Sequence, residues 1–188
     1  LHEVDLTCDT AYLQSWTELS KASQNKTESY LSESSDFSEL AAARVVLARL
    51  PKDSSLHLSN SMPVRYAEMF GSNVKEVFCN RGTSGIDGCT STALGHCLVS
   101  DDLNILLTGD LAFFYDRNAF FHNYPTKNLR IVLFNNQGGG IFRLIDGPSK
   151  LPELAEYFET RHQRTAQWLC KENRFEYHAV RDMRTLEQ

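Results

Sequence analysis

The sequence predicts an α/β fold, a doubly wound and mainly parallel sheet flanked by helices, and three observations carry that expectation. Apolar runs of strand length alternate along the chain with stretches of helical periodicity. The two strongest runs, ILL and IVLF, are continuous rather than alternating, as in strands covered on both faces. Each of their segments ends in a short polar cluster, GD after NILLT and NNQGGG after LRIVLF. Sheets of this class bind ligands beyond the carboxyl ends of their strands.

The elements follow in order. Residues 20 to 39, SKASQNKTESYLSESSDFSE, are rich in Ser, Glu and Asn and poor in aliphatics, so residues 1–39 read as a linker or peripheral segment. Residues 40–188 form the expected domain. DFSELAAARVVLARLP reads as a helix capped by Asp36 or Ser38, with Leu40, Ala43, Val46, Leu47 and Leu50 on its apolar face and Pro51 just beyond. SSLHLSN is a strand, MPVRYAEMF one or two helical turns, and KEVFCN a second strand. GTSGIDG then supplies a flexible loop into the helix CTSTALGHCLVS, packed through Ile86, Ala93, Leu94, Cys97 and Leu98. NILLT is a third strand, LAFFYDRNAFFHNY a helix whose aromatics pack on the sheet, and LRIVLF a fourth strand. LPELAEYFETRHQRTAQWLCKENR reads as helix, with a break near Thr160. The last residues, RDMRTLEQ, look like the opening of a helix, which suggests a fragment of a larger protein, truncated at its C-terminus.

Composition narrows the function. With 188 residues the chain is long enough for a sizeable core, and its formal charge of -5 argues against nucleic-acid binding by a general basic surface. No window has the apolar length of a membrane span, and LHEVDLTCDT lacks the basic flank and apolar core of a signal peptide. Cys8, Cys79, Cys89, Cys97 and Cys170 form no metal-type CxxC pair and read as reduced thiols of a cytoplasmic protein, most of them small core residues. No histidine reads as catalytic: His96 falls on a helix face as a satisfied core imidazole, and His122 and His162 read as exposed.

An aspartate, an asparagine oxygen and a backbone carbonyl are hard donors suited to Mg²⁺, which shares its octahedral sphere with phosphate oxygens. One carboxylate holds the ion poorly alone, so the charge deficit invites a diphosphate. Glycines beside the amides let the backbone approach such a ligand, and a helix starting at Leu111 would turn its N-terminus to the same spot. The bland alternative, Asp and Asn closing strand-end turns on nearby backbone, stands level with this on spacing alone.

GD, a helix and strand, then NN resembles the motif of the thiamin-diphosphate-dependent enzymes, with Leu111 where glycine is usual and a spacing toward the short end. The words NSMPVR, CNRGTSGIDG, GDLAFFYD and NNQGGGIF sharpen this to a resemblance to the menaquinone-pathway synthases of that group, whose motif carries GDL. The likeness runs from about Leu40 to Tyr177. It implies Mg²⁺, with Mn²⁺ as an alternative, held by the side chains of Asp110 and Asn136 and the carbonyl of Gly138. Gly109 would leave room for the diphosphate, and Leu111 and Ala112 would offer it N–H groups. Ile86 would wedge thiamin diphosphate into its bent form, with Ser84 and Gly85 shaping that loop. The substrates implied are 2-oxoglutarate and isochorismate, both carboxylates, anchored by Arg65 and Arg81 with Ser61 and Asn60 nearby. Ile141, Phe142 and Ile145 would form an apolar wall over cofactor and substrate.

The resemblance also implies that the glutamate activating the coenzyme lies on a separate domain, the pyrimidine-binding domain of a second chain. The expectation is therefore a homo-oligomeric transferase of which this chain is the C-terminal diphosphate-binding part, inactive alone. Two rivals remain open: an acetolactate-synthase-like decarboxylase or carboligase, which would lack the NSMPVR and RGTSGIDG words, and a non-catalytic module binding Mg²⁺–diphosphate ligands.

Overall fold

The computed structural model describes residues 10–188, so Cys8 lies outside the described residues. Contacts divide the chain into two compact units, Leu1–Asp36 and Phe37–Gln188. In the first, α1 (Thr10–Glu33) is a single 24-residue helix. Most of the polar stretch read above as linker or surface segment is thus helical. No glycine or proline interrupts residues 10–33, and Ser15, Thr17 and Thr27 bond the carbonyls one turn back instead of competing for other backbone.

The second unit runs α2 (Glu39–Ala48), β1 (Ser54–Leu58), α3 (Met62–Phe70), β2 (Glu76–Cys79), α4 (Cys89–Val99), β3 (Leu103–Gly109), α5 (Asp110–Tyr115), β4 (Leu129–Phe134), α6 (Gln167–Glu172) and α7 (Met183–Leu186). Its four strands lie in the order β2-β1-β3-β4 and every pairing is parallel, the doubly wound class the sequence predicts. Because successive side chains alternate across a sheet, the two faces carry separate cores, and β4 feeds both. Leu56, Leu58, Ile105, Leu107 and Phe134 meet Ala43 and Leu47 of α2 and Val64 and Tyr66 of α3 on one face. Leu129, Ile131 and Leu133 meet Leu94 and Cys97 of α4, Phe113 of α5 and Phe120 on the other. Covered on both sides, β3 is buried almost throughout, whereas the middle of β4 is only half-buried, which its continuous apolar run did not suggest.

Ser38 settles the start of α2: its Oγ accepts from the Ala41 N–H at 3.2 Å. Three helical expectations are corrected. Leu98 is 40% exposed, and Ile86 lies ahead of α4, leaving Ala93, Leu94 and Cys97 as its buried side. The aromatic segment is α-helical only to Tyr115 and then a short 3-10 turn, Arg117–Phe120. There Asp116 turns back, its carboxylate accepting from the Ser91 N–H and hydroxyl at 2.7 Å each. It thereby caps α4, whose own N-cap, Gly88, has no side chain to offer. The stretch from Leu151 to Arg174 is helical only in a π turn, Leu154–Phe158, and in α6. Thr160 breaks it with a φ of 48°.

Buried polar groups on the α4 side of the sheet gather at Asn104, whose Oδ1 accepts from His57 Nε2 at 3.0 Å and His96 Nδ1 at 2.6 Å. One oxygen facing both rings requires each to donate, leaving His57 Nδ1 without a partner. Burial lowers the pKa of His57. His96 is half-buried and bonded. Cys89 and Cys97 are buried, Cys79 and Cys170 half-buried, and all four are free thiols. Among the described residues no helix is long and apolar enough to cross a membrane.

Leu107 is fully buried in a central strand. Leu107→Ala is expected to cost about 2–5 kcal/mol of stability in denaturant unfolding, and a loss under about 1 kcal/mol would contradict this placement of the core.

Candidate functional site

From β1 the sheet grows one way to β2 and the other way to β3 and β4. The reversal point lies between β1 and β3, where loops leave the strand ends in opposite directions and open a crevice. The two strand ends are tied there: the Ser59 N–H donates to the Leu107 carbonyl at 3.0 Å, and the Gly109 N–H to Ser59 Oγ at 3.3 Å.

Asn60 is buried beside them and spends its whole amide within the chain. Its Nδ2 donates to the carbonyls of Asn80 and Gly85, both at 2.7 Å, while its Oδ1 accepts from Arg81 Nη1 at 2.9 Å. The Cys79 thiol, its pKa raised by burial, also faces that oxygen at 3.8 Å. Asn60 therefore holds the loops after β1 and β2 together from the interior.

On the other half of the rim, β3 and β4 end level, Gly109 pairing with Phe134. The next residues bring Asp110 and Asn136 onto one donor: the Gly138 N–H donates to Asp110 Oδ2 at 3.0 Å and to Asn136 Oδ1 at 3.2 Å. Asp110 is 2% exposed, and its other oxygen accepts from the Leu111 N–H at 2.6 Å. Burial raises the Asp110 pKa against those N–H groups and the nearby His162. The Gly138 carbonyl accepts from the Gly140 N–H at 3.1 Å, so it is the N–H of Gly138 that faces the acid.

A crossing segment braces this loop. The Glu159 carbonyl accepts from the Gly139 N–H at 2.7 Å, the Gln137 carbonyl from the His162 N–H at 3.2 Å, and Asn135 Nδ2 donates to the Arg164 carbonyl at 2.9 Å. A Cβ on Gly138 would stand 2.8 Å from the Glu159 carbonyl, which explains glycine there. The Glu159 side chain is buried between Arg143 and Arg161, which hold its carboxyl below the usual range.

Two residues to which sequence reasoning gave no role, His162 and Glu39, border the site. His162, expected to be exposed, has a side chain only 12% exposed, edge-on to Phe114 and with Nε2 3.4 Å from Asp110 Oδ2. His122 likewise is half-buried, its Nδ1 accepting from the Tyr124 N–H at 3.0 Å. Glu39, in the first turn of α2, accepts from Asn136 Nδ2 at 2.9 Å and is hydrogen-bonded to Tyr66. Burial raises its pKa, and burial with the neighbouring Glu39 charge raises that of Tyr66.

The other expected residues lie in the loops and helix starts that follow the strands. Ser61 and Ser84 carry left-handed φ of 77° and 57° and Gln137 one of 68°, so the loops after β1, β2 and β4 each hold a non-glycine residue in a sparsely populated conformation. Such residues concentrate at functional sites. Arg65 is exposed, with Nη1 on the Ser61 carbonyl at 2.7 Å, and Arg81 is exposed beside Asn60. Ile86 is half-exposed after Gly85; Ile141 and Phe142 lie in a 3-10 turn with Phe142 edge-on to Phe158, and Ile145 is 40% exposed. Open space surrounds the position of a Cβ on Gly109. Ala112 is buried in α5.

The donor set suits a hard divalent cation. Two oxygens, one of them a buried acid, point at the same partial positive charge.

No protein-family model matches the chain. The chain is 54% identical, over 81% of its length, to a curated 2-succinyl-5-enolpyruvyl-6-hydroxy-3-cyclohexene-1-carboxylate synthase of Cytophaga hutchinsonii. It is 45% identical over 95% of its length to the protein of that name from Flavobacterium psychrophilum, and 44% over 87% to that from Flavobacterium johnsoniae. These matches span 28%, 32% and 29% of the three relatives, so the chain covers about three tenths of their length.

A pH dependence follows from Glu39. Its folded-state pKa lies above the ordinary 4.5, so the folded chain holds this proton more tightly than the unfolded one. Stability contributed by the protonated form is present below the ordinary value and lost as pH rises through the raised one. Without divalent cation, wild-type unfolding free energy should fall relative to Glu39→Gln as pH climbs from about 4.5 through that window. Urea titrations at a series of pH values would check this, and a pH-independent difference would contradict the raised pKa.

Proposed function

The chain belongs to the family of the 2-succinyl-5-enolpyruvyl-6-hydroxy-3-cyclohexene-1-carboxylate synthases along the part of their length that it matches, and on that premise we propose that its rim is the Mg²⁺ and diphosphate half of a thiamin-diphosphate site. The whole protein is then a cytoplasmic transferase of menaquinone synthesis that decarboxylates 2-oxoglutarate and joins the remaining four-carbon unit to isochorismate. The observation that carries this reading is the meeting of Asp110 and Asn136, from adjacent parallel strands, on the single N–H of Gly138. An arrangement that focuses two oxygens on a partial positive charge is suited to a full one.

In this reading Asp110 and Asn136 hold the cation through side-chain oxygens. Gly138 adds its carbonyl, whose second lone pair remains beyond the Gly140 hydrogen bond. When bound, the coenzyme supplies the electron sink that lets a 2-oxo acid lose carbon dioxide and pass on its acyl carbon. The chain's residues bind and orient. Leu111, whose N–H is held by Asp110, and Ala112 would flank the diphosphate beside the open space at Gly109, while Ser84 and Gly85 would shape the loop that sets Ile86 against the coenzyme. Arg65 and Arg81 present planar guanidinium groups to substrate carboxylates. Ser61 stands beside them, and Ile141, Phe142 and Ile145 supply an apolar wall that excludes water. The acid that activates the coenzyme comes from the pyrimidine-binding domain of a second copy, making the working form a homo-oligomer and this chain inactive alone.

In the intact protein, Asp110→Ala should weaken retention of thiamin diphosphate in the presence of Mg²⁺ by more than about 100-fold. Calorimetry would measure this, and unchanged affinity would sink the cation assignment. The intact wild type should release carbon dioxide from 2-oxoglutarate in preference to pyruvate; the reverse preference would favour an acetolactate-synthase-like enzyme.

A further inference from the structure

We propose that Glu39 is a positioning residue for the cation site, fixing which end of the Asn136 amide faces Asp110. The inference rests on the reading of Asp110 and Asn136 as cation ligands and adds to it a residue outside the motif. The two ends of an asparagine amide are nearly equal in size and opposite in chemistry: the oxygen binds a cation and the NH₂ repels one. Asn136 is an exposed side chain on a loop, so packing alone does not choose between the ends.

Hydrogen bonding does choose. The Glu39 carboxylate can only accept, so at 2.9 Å it fixes Nδ2 on its own side, and Oδ1 is left toward Gly138 and Asp110. Glu39 is itself anchored. It opens α2 beside the Ser38 cap and is hydrogen-bonded to Tyr66, which is 6% exposed and packs edge-on to Phe134 at the end of β4. A rigid line therefore runs from the core through Tyr66 and Glu39 to the amide. Its last contact joins residues 97 positions apart. The bland reading of an acid in a first helical turn, favourable interaction with the helix dipole, predicts no role at Asn136.

The test is Mn²⁺ binding to the intact protein with thiamin diphosphate, followed by electron paramagnetic resonance of the free ion. The proteins compared are wild type, Glu39→Met, Glu39→Gln and Asp110→Ala. Methionine keeps length and helix propensity but cannot accept, whereas glutamine keeps an acceptor without the charge. Glu39→Met should weaken Mn²⁺ binding by about 10-fold or more, as loss of an outer-shell partner does, with Glu39→Gln within about threefold of wild type. Thermal midpoints and near-UV circular dichroism report folding, and Glu39→Leu replaces Glu39→Met should the latter not fold. Wild-type affinity in Glu39→Met alongside loss in Asp110→Ala would overturn the positioning role and leave the cation reading intact. Equal losses in Glu39→Gln and Glu39→Met would overturn it in favour of simple charge attraction. Failure of the wild type itself to take up Mn²⁺ would overturn both.

Discussion

The site depends on one backbone N–H. Gly138 presents it to Asp110 and Asn136 together, and the contact exists only because β3 and β4 are adjacent, parallel and end level. Parallel pairing places two strand ends on the same rim without a hairpin between them. The sheet order then sets the β1 and β3 ends on either side of the reversal point. A slip of one residue in the β4 register would send alternate side chains to the opposite face and separate the pair. The two cores that fix this register, one on each face, thus also fix the spacing of the two candidate ligands.

Around that contact the structure holds acids where burial disfavours their charge. Asp110 and Glu39 both have raised pKa values with desolvation as the main cause. A domain optimised only for stability would not place two carboxyl groups at one crevice, because mutual repulsion and desolvation act in the same direction. Left-handed backbone at Ser61, Ser84 and Gln137 adds local strain at the same end of the sheet. Such departures are expected where binding is the purpose of the arrangement.

Much of the fold was legible in the sequence. Strands β2, β3 and β4 were readable as short apolar runs closed by polar residues and β1 from its two alternating leucines, and the ends of β3 and β4 carried the motif that singled out Asp110 and Asn136 as candidate ligands. What was missed depends on contacts distant in sequence. The periodicity of FFYDRNAFF could not reveal that Asp116 leaves the helix to cap α4 through Ser91. The segment after Leu151 has helical composition, yet its backbone is engaged with the Gln137–Gly139 loop and its Glu159 with two arginines. Glu39 and His162 carry no local signal at all, since an acid in a first turn and a histidine in a polar segment are ordinary until the fold brings them to Asn136 and Asp110. In α1 the lack of glycine and proline was the overlooked cue, outweighed by polar composition.

The buried amide of Asn60 divides the labour of the rim. Because one side chain grips the Asn80 and Gly85 carbonyls and the Arg81 guanidinium, the segments leaving the first two strands can shift only together. The opposite wall is braced by hydrogen bonds between main-chain groups of two loops, by the ion pairs of Glu159 with Arg143 and Arg161 and by Phe142 packed on Phe158. Losing the Asn60 amide would leave two carbonyls and a guanidinium without the partner that joins their segments.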